Sequence, residues 1–396
     1  MRSIQGGCFE GKKVLIRVDF NLPMTEAGVV TDDRRIRNSL PTIRKVVEEG
    51  GVAMLLSHFG RPKQGYDPAF SLKKILPVLA SLLQQPVHFA PACVGAETEQ
   101  LVANLTPGSV VLLENVRFFP EETADDAGFA QSLAALGDVY VNEAFGTIHR
   151  NHVSTTLLPT YFAERFAGYG LQAECTAVDR LFSKNDTAPI VAIMGGNKFA
   201  DKATSIQRFM GCVQHILIGG GLAYPLYKAQ QALMAGGVPE SETAFVGSFF
   251  AQENPHTILS LPMDVASAPA LTDVPTLPWI SSFEAVPVDH RMFDIGPKTQ
   301  AFFSKCISEA RTIFWAGPMG AFESKPFDAG TLAVAKAIVH ATEQGAYSIV
   351  GGGDTAAALT QMGYADRVSH VSTGGGALLA YIAANRMLRS LEVLEQ

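Results

Sequence analysis

Pro189–Lys202 reads PIVAIMGGNKFADK, and that order of residues sets the fold class. Ile190–Met194 is a continuous apolar run with no polar alternation, Gly195-Gly196-Asn197 is a turn, and a more polar stretch follows. A short unbroken apolar run closed by glycine reads as a strand buried on both faces, which is the situation in a parallel sheet covered by helices. The same pattern recurs along most of the chain. The first half offers strands at Val14–Phe20, Val52–Ser57, Val87–Ala90, Val110–Asn115 and Val139–Ala144. The second half offers Pro189–Met194, His215–Ile218, Thr257–Leu261, Thr312–Trp315, Ala346–Val350 and Val368–Ser372.

Helical spacing lies between these runs. In Asp33–Glu49, Ile36, Leu40, Ile43 and Val47 recur every three or four residues, with Pro41 expected to kink the helix. Gly330–Gln344 repeats the spacing through Leu332, Ala335, Ile338 and Thr342, and Gly345 is placed as its C-terminal cap. This alternation predicts an α/β chain of two doubly wound parallel-sheet (Rossmann-like) domains joined by a hinge and an interdomain helix. The aromatic, Pro- and Gly-containing stretch Leu157–Gly170, the helix expected over Leu171–Lys184 and the polar break Asn185–Pro189 mark the connection. The expected domains are 1–168 and 169–376.

A chain of 396 residues exceeds one ordinary core and suits two. The apolar runs are too short to span a bilayer, and Met1–Lys13 has no apolar leader, so a cytoplasmic protein is expected. A formal net charge of −7 argues against nucleic acid and anionic membranes as partners. Cys8, Cys93, Cys175, Cys212 and Cys306 form no CxxC pair and are expected to be reduced packing residues. Asn104-Leu-Thr and Asn185-Asp-Thr match the glycosylation pattern and are read as chance in the absence of a secretory leader.

Ligands of open α/β sheets bind beyond the carboxyl ends of the strands, so the residues after each run form one set. In the first half these are Asp19 and Asn21, His58 with Arg61, Arg117, and Asn142 to Arg150, with Arg35 on the first helix. Arginines gathered at one rim suit phosphate or carboxylate oxygens. Arg17 is expected to be a solvated surface residue, because strand alternation points it away from Asp19's neighbours. In the second half the corresponding turns are Gly195–Lys202, Gly219-Gly220-Gly221, Ala316–Gly320, Gly351-Gly352-Gly353-Asp354-Thr355 and Gly374–Gly376. Glycines let backbone N–H groups approach phosphates at helix starts, so this half reads as the nucleotide side. Asp354 is placed as an N-cap or as a contact to a nucleotide-borne magnesium ion. The His149/His152 spacing lacks a third metal ligand.

Two nearby fingerprints fail. Gly6–Lys13 resembles a Walker A loop but ends in Lys and precedes its strand, and Gly168–Ala173 fits GxGxxA without a preceding strand, which disfavours an oxidoreductase.

The motifs VLIRVDFNLP (Val14–Pro23), SHFGRP (Ser57–Pro62), LLENVRF (Leu112–Phe118), NEAFGTIHR (Asn142–Arg150), GGNKFADK (Gly195–Lys202), DIGPKT (Asp294–Thr299), GPMGAFE (Gly317–Glu323), GGGDT (Gly351–Thr355) and STGGGA (Ser372–Ala377) together resemble the phosphoglycerate kinase family over nearly the whole length. The resemblance implies a first domain that holds 3-phosphoglycerate or 1,3-bisphosphoglycerate through Asp19, Asn21, Arg35, His58, Arg61, Arg117 and Arg150. It implies a second domain that holds ADP or ATP with Mg2+ through Lys198, Lys202, Gly219, Gly220, Gly221, Pro318, Glu323, Gly351, Gly352, Gly353, Asp354 and Thr355. Arg35, Lys198, Lys202 and Gly352 are the expected catalytic set, Glu323 the ribose contact, and Asp354 the metal contact. The segments Ser372–Ala377 and Gly168–Leu171 are expected hinges. The tail, 377–396, is expected to return to the first domain, and the chain is expected to be a monomer.

The chain departs from the family pattern at Ala316, where an Asn follows the Trp, and at Phe59, Glu143 and Asn197, where Leu, Asp and Ala are usual. Asn197 could compensate for the amide absent at Ala316. The tail departs most, through Leu378–Ala380 and Ile382–Arg386. These departures leave open a family-shaped nucleotide- or metabolite-binding protein with weakened catalysis.

Overall fold

A computed structural model describes every residue except 26, 64, 183–188, 236–256, 272–276 and 396, together with the side chain of 201. The expected helix end at Lys184 and most of the Asn185–Pro189 break lie outside the described residues. Contacts divide the chain into a first unit, Met1–Thr176 with Arg386–Gln396, and a second, Ala177–Asn385.

The first unit is built on a parallel sheet of six strands: β1 (Lys13–Arg17), β2 (Val52–Leu56), β3 (Val87–Ala90), β4 (Val110–Leu113), β5 (Val139–Asn142) and β6 (Glu164–Ala167), in the order β3-β4-β2-β1-β5-β6. Its helices are α1 (Arg34–Glu48), α2 (Leu76–Leu83), α3 (Ala96–Ala103), α4 (Ala127–Ala134) and α5 (Tyr169–Leu181), which runs on past Thr176. Ile16, Leu55, Leu112 and Val141 are fully buried, as continuous apolar strands covered on both faces should be. Ile36, Leu40 and Ile43 of α1 pack into the same core, and the helix is assigned without a break through Pro41. The ladder of β1 stops at Arg17 rather than Phe20. Val18 N–H still reaches the Leu56 carbonyl at 3.0 Å, but Phe20 N–H turns to Ser57 Oγ at 2.9 Å, which frees Asp19 and Asn21 from the sheet. The strand β6, ERFA, escapes the sequence reading because charge interrupts its apolar run. At the C-terminus Ser390 donates to the Ile148 carbonyl at 2.6 Å and Leu394 is buried.

The second unit carries β7 (Ile190–Met194), β8 (His215–Ile218), β9 (Ile258–Ser260), β10 (Val265–Ala268), β11 (Trp279–Ser281), β12 (Arg291–Ile295), β13 (Thr312–Ala316), β14 (Tyr347–Gly351) and β15 (His370–Val371). Six form a parallel sheet in the order β15-β14-β13-β7-β8-β9. The helices are α6 (Ala200–Phe209), α7 (Ala223–Met234), α8 (Pro297–Ser308), α9 (Ala329–Glu343), α10 (Gly353–Gln361) and α11 (Gly376–Ala383). Val191, Ile193, Trp315, Val334 and Val350 share one core. Gly345, at φ +95°, follows α9, and its N–H bonds to the Thr342 carbonyl at 2.9 Å. The antiparallel sheet β11-β10-β12 is an addition to the expected plan. Its strands VASA and WIS are too short and too weakly apolar to stand out.

All five cysteines are free thiols; Cys93, Cys175 and Cys306 are buried, whereas Cys8 is exposed and therefore not the packing residue expected.

Candidate active site

In both parallel sheets the strand order reverses at a central pair, β1/β5 and β7/β13, and the candidate residues lie beyond the carboxyl ends of these and the neighbouring strands.

In the first unit, Asp19 stands two residues beyond β1 and meets Arg35, from the first turn of α1, with Arg35 Nη1 3.0 Å from Asp19 Oδ2. The same Nη1 donates to the Asn21 carbonyl at 3.0 Å. Asn21 Oδ1 accepts from Gly60 N–H at 2.8 Å, and the Gly60 carbonyl accepts from Arg117 Nη1 at 2.6 Å. The loops after β1, β2 and β4 are thereby tied together through backbone as well as side chains. Asn115 fixes the β4 loop, accepting from Phe59 N–H and Arg117 N–H and donating to the carbonyls of Phe59 and Phe70.

The cluster is electrostatically crowded. Burial, then Arg150 and Arg17, bring the Arg117 guanidinium down to about 10, with Arg61 adding to the effect. Burial also lowers Arg150, opposed by Asp19 and assisted by Arg61, Arg17 and Arg35. His58 is held well below the usual imidazole range by burial and then by Arg17, Arg117, Arg150 and Arg35. His152 falls to about 4, and His149 is lowered as well, burial leading in both. The structure thus brings Asp19, Asn21, Arg35, His58, Arg117 and Arg150 into one neighbourhood, with Arg61 exposed at its edge.

Arg17 overturns its surface assignment: it is 1% exposed. Alternation fails as a guide because both faces of a parallel sheet are covered. Its Nε donates to Ser154 Oγ at 2.8 Å, and Ser154 donates from Oγ and N–H to the two carboxyl oxygens of Glu122, at 2.6 and 2.9 Å. Glu122 is buried, and burial raises its carboxyl, opposed by Arg17 and by the Ser154 bonds. No motif signalled Glu122 or Ser154.

In the second unit a cavity of ≈ 730 Å3 is lined by Asn197, Lys198, Lys202, Gly220, Gly221, Pro318, Glu323 and Asp354. Gly219, Gly351, Gly352, Gly353 and Thr355 do not line it. Gly219 abuts Met319, where a Cβ would come within 2.5 Å of Sδ, and a Cβ on Gly351 would lie 2.2 Å from Leu378 Cδ2. Thr355 Oγ1 accepts from Gly317 N–H at 2.7 Å. Lys202 Nζ donates to the carbonyl of Gly195 and, at 3.1 Å, to that of Ala316, at the ends of β7 and β13. Asp354 is not the N-cap: α10 is capped by Gly352 at φ +95°, with no side-chain hydrogen bond, and Asp354 lies exposed in the first turn. The first-turn N–H groups of a helix have no intrahelical acceptor, so this end suits an anion. Asp294 also lines the cavity; burial lifts its carboxyl to about 7 against hydrogen bonds from Gly330 and Ile295 N–H.

Residues 4–385 match the family model described as Phosphoglycerate kinase. The phosphoglycerate kinase of Chloroherpeton thalassium is 41% identical over 388 residues, covering 98% of this chain and 97% of that one. The relative from Herpetosiphon aurantiacus is 42% identical over 380 residues, 96% and 95% of the two chains. The solved phosphoglycerate kinase from Coxiella burnetii superposes with a TM-score of 0.83 at 34% identity, over 100% of this chain and 98% of that one. The structure from Pyrococcus horikoshii OT3 gives 0.84 at 26% identity with the same coverage. Fold and matches together define a phosphotransferase with a carboxyl group as acceptor. The chain belongs to the phosphoglycerate kinase family.

Proposed function

We infer that the chain catalyses reversible phosphoryl transfer between 1,3-bisphosphoglycerate and ADP, giving 3-phosphoglycerate and ATP in glycolysis and gluconeogenesis. The observation that carries this reading is a cluster of cations waiting for an anion. Arg35, Arg117 and Arg150 surround a neutral imidazole, and Arg150 Nη1 is buried with no hydrogen-bond partner among the described residues. Guanidinium groups that disfavour one another's charge are held together at a cost that a multiply charged phosphate or carboxylate offsets.

The acid binds to Asp19, Asn21, Arg35, His58, Arg61, Arg117 and Arg150. The nucleotide binds to the Lys198, Lys202, Gly219–Gly221, Pro318, Glu323 and Gly351–Thr355 set. Among the described residues no group of three or more His, Cys, Asp or Glu side chains is arranged to hold a metal. Of the two exposed carboxylates lining the cavity, Glu323 and Asp354, Asp354 at a helix start fits magnesium that arrives on phosphates, because Mg2+ usually keeps few protein ligands. Bound there, Mg2+ would supply further positive charge to the phosphate oxygens.

Transfer needs no protein nucleophile. In the direction of acyl phosphate synthesis, a carboxylate oxygen of 3-phosphoglycerate attacks the γ-phosphorus in line, the bond to the β-bridging oxygen breaks, and ADP leaves. Arg35 and Lys198 neutralise the equatorial oxygens of the moving group, Lys202 holds nucleotide phosphates, and Gly352 opens the helix-terminal cradle. Because acid and nucleotide are assigned to different units, the reaction requires closure of a hinge around them. The reading implies a monomer working in the cytoplasm. In a coupled assay with ATP and 3-phosphoglycerate, Arg35→Ala and Lys198→Ala are each expected to lower kcat by about 10²–10³-fold, the usual loss for a transition-state charge contact. Nucleotide binding by the wild-type chain without turnover would contradict the assignment.

A further inference from the structure

Arg17 uses all three guanidinium nitrogens inside the protein. Nε donates to Ser154 Oγ at 2.8 Å, Nη1 donates to the Val18 carbonyl, and Nη2 lies 3.3 Å from His58 Nδ1. A guanidinium has no lone pair to offer, so in that last contact the ring nitrogen is the acceptor. A neutral imidazole that accepts at Nδ1 carries its proton at Nε2. The competing partner for Nδ1 is Asp19 Oδ1, an acceptor that would draw the proton to Nδ1 itself; at 3.9 Å it is beyond hydrogen-bond reach.

Arg17 is itself held from behind. Glu122 takes both donors of Ser154, Oγ–H and N–H, so the hydroxyl proton points to the carboxyl and the oxygen lone pairs face Arg17 Nε. Ser154 is fixed a third time by the phenol of Tyr140, which donates to its carbonyl at 2.8 Å. All four side chains of the row Glu122–Ser154–Arg17–His58 are buried.

We propose that Arg17 is a positioning residue that fixes His58 as the Nε2–H tautomer, so that the arginine rim presents one neutral hydrogen-bond donor to an oxygen of the bound acid. The inference rests on the assignment of this rim to the acid substrate. A neutral imidazole is the form this site favours: burial and the charges of Arg17, Arg117, Arg150 and Arg35 oppose a further cation. The benefit is directional. A guanidinium can offer any of its five N–H groups to an anion, whereas the single N–H of a fixed imidazole prefers one oxygen at one distance and angle.

The test is the 15N spectrum of histidine-labelled, ligand-free protein at pH 7, with the His58 signals assigned by their loss in His58→Gln. The expected result is a protonated Nε2 and an unprotonated Nδ1. In Ser154→Ala, which frees Arg17 Nε, and in Arg17→Met, the Nδ1–H tautomer is expected to become populated. KM for 3-phosphoglycerate is expected to rise about fivefold, the worth of one neutral hydrogen bond, while KM for ATP stays unchanged. A wild-type ring protonated at Nδ1, or at both nitrogens, would overturn the proposal whether or not Arg17→Met folds. So would a Ser154→Ala protein that keeps the pure Nε2–H tautomer and the wild-type KM. The spectrum does not depend on turnover, so an Nε2–H ring in a protein without transferase activity supports the tautomer assignment while contradicting the functional reading.

Discussion

Glu143 is a buried carboxyl group, only 6% exposed. It follows β5, and its Oε1 accepts from Gly170 N–H at 2.7 Å, in the first turn of α5, while Oε2 accepts from Thr42 Oγ1 of α1 at 3.1 Å. A Cβ at Gly168 would fall 1.6 Å from Oε2, so glycine there is what admits the glutamate. Burial lifts the carboxyl to about 8, against the opposing hydrogen bonds. Its folded value therefore lies above its unfolded one, near 4.5. The protonated form contributes stability that is complete below about 4.5 and is lost as pH rises through about 8. Glu143→Gln, which keeps an acceptor for Gly170, is expected to be close to wild type in urea unfolding at pH 5. It is expected to be more stable than wild type by more than about 1 kcal/mol at pH 9. A pH-independent difference between the two proteins would contradict this account of the site.

Legibility also divides at this scale. Asp19 and Arg117 were readable because they are charges closely following an apolar run, and Arg35 only through its place on the first helix. Arg17, Glu122 and Ser154 were not, since their importance lies in whom they touch across the fold. Of the two roles the sequence offers Asp354, the N-cap fails because the sequence does not show that glycine at φ +95° takes that position.

Among the elements, the pair β7/β13 builds the floor of the cavity proposed to hold the nucleotide. Its two following turns interlock: Gly195 N–H bonds to the Ala316 carbonyl at 2.9 Å, Gly196 N–H bonds to the Pro318 carbonyl at 2.9 Å, and Lys202 caps both strand ends. Gly317 sits in this knot at φ +99°, where a Cβ would lie 2.2 Å from the Gly195 oxygen and 2.3 Å from Lys202 Nζ. Gly317→Ala is expected to destabilise the protein by about 1–3 kcal/mol in urea, through strain and displacement of the lysine. A nucleotide titration should show weaker binding in parallel, and an alanine variant with wild-type stability and affinity would show that the turn has room to spare. The central strands were legible because burial on both faces forces continuous apolar runs. The edge strand β6 and the sheet β10–β12 were not, because β6 and β12 carry charge among their apolar residues and β10 and β11 are short and weakly apolar.

For the molecule as a whole, the proposed assignment of acid and nucleotide to separate units means that neither ligand alone completes a reacting pair. Small-angle scattering is expected to show a smaller radius of gyration with 3-phosphoglycerate and a non-hydrolysable Mg-nucleotide together than with either one. An unchanged radius in the ternary mixture would count against hinge closure. The two-sheet plan was legible from strand repetition alone, and the family from motifs kept in order from Val14 to Ala377. Spacing along the chain could not reveal that residues 386–396 belong to the first unit, because that depends on contacts such as Ser390 to Ile148.

The most direct measurement is 31P exchange spectroscopy on the protein at equilibrium with Mg2+, ATP, ADP, 3-phosphoglycerate and 1,3-bisphosphoglycerate. A phosphoryl-transfer enzyme predicts exchange between the γ-phosphate of ATP and the acyl phosphate at C1, abolished in Lys198→Ala. Saturated binding of both ligands with no exchange between those two resonances would contradict it.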